Sequence, residues 1–81
     1  MPFLPTAAYS IHLEVALDNI PNTLGRLATA IGEAGANIMS MGGFDVRGDL
    51  LVNDVVANCR DEHHAAAVVT AVEGLSGVQL L

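Results

Sequence analysis

Three kinds of side chain in this sequence could do chemistry: asparagines that bracket one helical stretch, a pair of adjacent histidines, and a single cysteine. Asn19, Asn22 and Asn37 lie in the run Asn19 to Ile38, NIPNTLGRLATAIGEAGANI. An Asn amide both donates and accepts, so it can take an ammonium and a carboxylate alike. A helix start adds unpaired N–H groups that attract a carboxylate. The chemistry open to this segment is the holding of a small polar molecule. The competing reading is structural: Asn19 or Asn22 caps the helix, and Asn37 tolerates a turn. His63 and His64 are adjacent, diverge by about 100° on a helix and cannot comfortably share one metal ion. No other His or Cys stands at ligand spacing, so no metal site is expected and the pair reads as a solvated first helical turn. Cys59 falls in an apolar alternation, which predicts inert core packing. As the lone cysteine it excludes an internal disulfide and a CxxC motif.

The elements that position these residues follow from periodicity. Ile11, Leu13, Val15 and Leu17 alternate with His12, Glu14 and Ala16, the mark of a half-buried strand over Tyr9 to Leu17. Leu24, Leu27, Ala28 and Ile31 recur at helical spacing and predict a helix from Thr23 to Ala34. Gly35 stands where a helix end favours a left-handed residue. On this reading the segment folds back on itself and sets Asn19 and Asn37 at a common edge. Asn37 to Val46 reads as a second strand, with Gly42-Gly43 marking a bulge or a close backbone approach. Arg47-Gly48-Asp49 reads as a hairpin turn. A third strand spans Leu50 to Cys59, where Asn53 interrupts the parity of Leu51, Val55 and Ala57; a change of pairing register is expected near it. Asp61 caps a second helix with Ala65, Val68, Val69, Val72 and Leu75 inward, ended by Gly74 and Gly77. Val78 to Leu81 opens a fourth strand. It stops in mid-alternation, as a cut within a longer protein would. Residues 1–8, with two prolines, read as an arm or linker, and 9–81 as one domain.

The order βαββαβ predicts an α+β ferredoxin-like sandwich, a four-stranded antiparallel sheet with two helices on one face. At 81 residues the domain is small, and its 52% hydrophobic content suggests a partner surface besides the core. A net charge of −6 argues against nucleic acid. With no lysine, Schiff-base chemistry and phosphate-gripping P-loops are excluded. No apolar run reaches the roughly 20 residues of a membrane span, and the start has no basic segment of a signal peptide. A cytoplasmic setting is expected.

The same strand and helix order occurs in acylphosphatases, but the loop from Asp18 to Thr23 has no Arg to hold phosphate. RNA-binding sheets need aromatics and positive charge, which Tyr9 and Phe44 do not supply. No Ser, His and acid grouping points to an activated nucleophile. The domain is expected to be no enzyme by itself and to need no cofactor.

Asn19-Ile20-Pro21-Asn22-Thr23-Leu24 and Gly35-Ala36-Asn37-Ile38, set within this order, resemble the two short motifs of ACT domains, the small regulatory modules of many amino-acid-metabolism enzymes. The stretches LGRLATAIGEAGANI and VNDVVANCRDEHHAAAVVTAVEGLSGV are similar to the segment that precedes the catalytic part of some bacterial NAD-dependent malic enzymes. The resemblance implies a small-molecule effector such as an amino acid, bound between two domains of a dimer, with an attached catalytic domain. It implies ligand contacts from Asn19 and Asn37, a close backbone approach from Asn22 to Gly25, and Pro21, Leu24 and Ile38 beside them. One position departs from the family: Asn22 stands where relatives carry Gly. Asn tolerates the left-handed conformation such a turn needs, but its side chain could fill the ligand's place. A ligand-free dimerisation module is the alternative.

Overall fold

The computed structural model describes residues 9–81; the expectation for the arm at 1–8 lies outside them. Six elements follow in chain order: β1 (Tyr9–Asp18), α1 (Thr23–Glu33), β2 (Asn37–Arg47), β3 (Leu50–Cys59), α2 (Glu62–Glu73) and β4 (Val78–Leu80). They form one four-stranded antiparallel sheet of order β2-β3-β1-β4. The ferredoxin-like sandwich read from the sequence is the fold. β4 is one residue shorter than expected and pairs only with Val15 to Leu17.

The period-two pattern decides which sheet face is buried. Leu13, Val15 and Leu17 of β1 meet Val55, Asn53 and Leu51 of β3 in direct register, on the face under the helices. Leu27 and Ile31 of α1 and Ala65, Val68 and Val72 of α2 close the core from above. Each fully buried aliphatic side chain there contributes about 2 kcal/mol of burial. Val69 and Leu75 are half-buried at its margin. The opposite face carries polar pairs: Ser10 Oγ donates to Asn58 Oδ1 at 2.6 Å, and His12 lies 3.3 Å from Asp54.

The register change expected near Asn53 occurs on one side only. β1 and β3 pair without interruption, whereas β2 slips against β3 between Gly42 and Asp45, so that Gly43 and Phe44 face Asn53. Gly43 is left-handed, and an added Cβ would stand 2.6 Å from Asp54 Oδ2. That combination makes a bulge for which glycine is required. A second slip lies between Ile38 and Ser40. Gly35 ends the α1 turn with φ +89, as its position predicted.

Candidate functional site

The corner between β1 and α1 gathers five of the seven candidate residues. Asn19 is exposed, and its N–H donates to the Asp49 carbonyl at 2.9 Å, which ties the corner to the β2–β3 hairpin. Ile20 and Pro21 follow on the surface, and Leu24 packs at the core margin. Asn22 occupies the N-cap position with φ 76 and ψ −5, and its side chain makes no capping bond. Asn22 thus holds the left-handed turn. The capping role open to Asn22 in the sequence is not taken by its side chain, which makes no hydrogen bond to the first turn. Its amide lies instead across the first turn, where a Cβ on Gly25 would stand 2.9 Å from Asn22 Oδ1. No acidic residue occupies the first turn of α1, so its leading N–H groups have no side-chain acceptor.

The other two candidates are elsewhere. Asn37 and Ile38 open β2 opposite Asn58 and Ala57, whereas β1 leaves the sheet at Asp18 opposite Leu50. Eight residues of β3 separate these levels, about 26 Å of strand. Asn19 and Asn37 thus stand at opposite ends of one domain, which corrects the common edge expected from the sequence. The cause is the helix itself: α1 carries the chain back along the sheet, at about 1.5 Å per residue, before β2 begins. At its own end Asn37 is exposed and its Nδ2 donates to Met39 Sδ at 3.4 Å.

His64 is the second correction. His63 is exposed as expected, but His64 is buried and bonded at both ring nitrogens. Nδ1 accepts from the Arg60 N–H at 3.0 Å, so Nε2 carries the proton it donates to the Ala34 carbonyl at 2.7 Å. The ring pins the start of α2 to the end of α1. Gly35 leaves room for it, since a Cβ there would lie 3.3 Å from Nε2. The expected Asp61 cap is present, with Oδ1 accepting from the His64 N–H at 2.8 Å. Cys59 is buried, and desolvation first, then the Asp61 charge, raise its thiol pKa; it is an inert core thiol.

The inward parity of Asn53 was legible in the sequence, but two features were not: unpartnered buried polar groups and a groove. Asn53 is fully buried with neither amide atom hydrogen-bonded, and the buried Thr23 hydroxyl is also unpartnered. A shallow groove of about 320 Å³ runs along α1, lined by Asn22, Gly25, Arg26, Thr29, Glu33 and Leu75 among others. Arg26 Nη1 donates across it to the Ser76 carbonyl at 2.9 Å. Among the described residues, no group of three or more metal-binding side chains occurs, and no helix is long and apolar enough to cross a membrane.

No family model matches the chain, and no curated protein matches its sequence. Solved structures do match its shape. The ACT domain of the GTP pyrophosphokinase of Chlorobium tepidum superposes with a TM-score of 0.70 at 8% identity, over 90% of this chain and 97% of that one. A homoserine dehydrogenase of Thiobacillus denitrificans gives 0.62 at 18% identity, over 99% of this chain but only 18% of the larger enzyme. At such identities the likeness is one of architecture, and the fold of this chain is that of an ACT domain.

Proposed function

We propose that the domain is a regulatory ligand-binding module that works as a pair of copies, with a small effector held between them. The observation that carries this reading is the separation of Asn19 from Asn37 along the sheet, taken with the outer edge of β2, unpaired among the described residues. Antiparallel pairing of β2 with a second β2 turns one copy end for end. It would bring Asn37 of one copy towards the β1–α1 corner of the other. β2 suits that role, because Met39, Phe44 and Val46 along it are all at least half exposed. Its two bulges limit regular pairing to short runs, which disfavours indiscriminate strand addition. The uncapped N–H groups of α1 would receive a carboxylate, and the Asn amides a neighbouring ammonium. An amino acid is the ligand class with both.

The residues assigned to the site are Asn19, Pro21, Asn22, Leu24 and Gly25 from one copy and Asn37 and Ile38 from the other. An effector that binds the paired arrangement more tightly shifts the population towards it and biases an attached catalytic domain. On the resemblance in sequence that catalytic part is an NAD-dependent malic enzyme, and the setting is cytoplasmic.

Thermal unfolding against amino acids and small organic acids at millimolar concentration tests this function, with sedimentation followed in parallel. A ligand at ~100 times its dissociation constant adds about 2.7 kcal/mol, and Asn37→Ala removes the shift without unfolding the domain. The Asn22 side chain lying over Gly25 favours a second reading, a dimerisation module without ligand. Dimers whose midpoint no compound moves would establish that second reading and end the first.

A further inference from the structure

The groove along α1 belongs to a single copy, and its lining has a definite charge order. Arg26 is the fixed point. Its Nη1 is tied to the Ser76 carbonyl, which holds the guanidinium in place while leaving its remaining N–H groups uncommitted. Arg47 is consumed by Asp45 at 2.8 Å, but Arg26 forms no ion pair among the described residues. In a chain with nine acidic residues and three arginines, a half-buried arginine held by a neutral carbonyl is an available cation. A guanidinium oriented in this way receives a carboxylate through two parallel hydrogen bonds.

Glu33 lines the same groove two helical turns further on, about 10 Å along the axis. It too forms no ion pair among the described residues. Between the two charges lie Ala30 and Leu75, with the Thr29 hydroxyl beside them. Gly25 keeps the wall low next to Arg26. We propose that this groove is a binding site for a linear ω-amino acid, its carboxylate on Arg26, its ammonium on Glu33 and its methylene chain across Ala30 and Leu75. An α-amino acid without a side-chain ammonium, its two charges on neighbouring carbons, cannot span both groups. At about 320 Å³ the groove is at the small end of ligand sites, roughly 300–1,000 Å³. The site requires no second copy.

Amide-resolved NMR of the domain titrated with ε-aminocaproate tests the site, with caproate and hexylamine as controls. Saturable shifts are expected at Gly25, Arg26, Thr29 and Glu33 with ε-aminocaproate, and weaker binding of both controls. Arg26→Gln should weaken binding at least about tenfold, the loss of a hydrogen-bonded charge. Glu33→Gln, at an exposed position that leaves the fold intact, should weaken it about threefold and make caproate its equal. Shifts that never saturate overturn the proposal, as does binding indifferent to Arg26→Gln in a variant whose spectrum remains dispersed. Caproate binding the unaltered domain as tightly as ε-aminocaproate would overturn the ω-amino class. Asn37→Ala and dilution should leave the groove unaffected, so its failure and failure of the paired-domain reading are separately visible.

Discussion

The two ends of the helical layer bury polar side chains on opposite terms. Where α1 ends and α2 begins, His64 is enclosed with both ring nitrogens bonded, and Asp61 caps the helix that carries it. Towards the end where α1 begins, Thr23 and Asn53 are enclosed with three polar atoms unpartnered, and no side chain caps the helix. A satisfied buried network fixes one geometry, whereas an unsatisfied one costs free energy for each orphaned group. One end is a clamp. The other, beside the β1–α1 corner, stores a cost that a bound water, a ligand or a rearrangement could recover. In so small a domain, the end with unmet hydrogen bonds is the place where binding could change the structure for the least expense.

The clamp offers the largest effect. His64→Ala removes both ring bonds and leaves the Ala34 carbonyl and the Arg60 N–H without that partner, besides a cavity. A loss of about 3 kcal/mol is expected in urea unfolding, with His64→Gln intermediate. A loss well under about 1 kcal/mol would erase the distinction, because the ring would then be a filler and not a tie.

The orphaned end predicts the opposite sign. Asn53→Leu replaces an unpaired amide by a side chain of similar length beside Val15, and should raise stability by about 1–2 kcal/mol. Thr23→Val should raise it by less. A destabilising Asn53→Leu would mean that solvent or a ligand satisfies the amide in solution, which would place both ends in the same class. A double-mutant cycle of the two sharpens this further, since coupling between them would indicate a shared water.

Much of this architecture was legible in the sequence, and the failures have a common physical origin. Strand alternation, helical spacing, the left-handed Gly35, the Gly42-Gly43 bulge and the irregularity at Asn53 are local signals, readable from neighbours within a few positions. The opposition of Asn19 and Asn37 depends on the length of α1, which carries the chain from one end of the sheet to the other. Polar patterning alone places His64 in solvent; the Ala34 carbonyl, 30 residues away, and the Arg60 N–H hold its ring inward. The Arg26–Ser76 bond spans 50 residues and leaves no trace in local pattern. For the candidate site, the β1–α1 corner was visible residue by residue, while the groove beside it was not.

The smallest effect examines how Asn22 closes that corner. Gly25 is in the first turns of α1, where alanine would ordinarily be preferred by about 1 kcal/mol. Here a Cβ would meet Asn22 Oδ1 at 2.9 Å, so Gly25→Ala should be neutral or slightly destabilising. Asn22→Gly suits the φ of 76 directly and should change stability by only about 0.5 kcal/mol. In that background Gly25→Ala meets no obstacle and should recover most of its helical preference, a coupling of about 1 kcal/mol between the two sites. Additive effects would mean that the Asn22 side chain swings clear in solution. The corner would then be open to a ligand without displacement, and the Asn22 side chain would no longer weigh against binding.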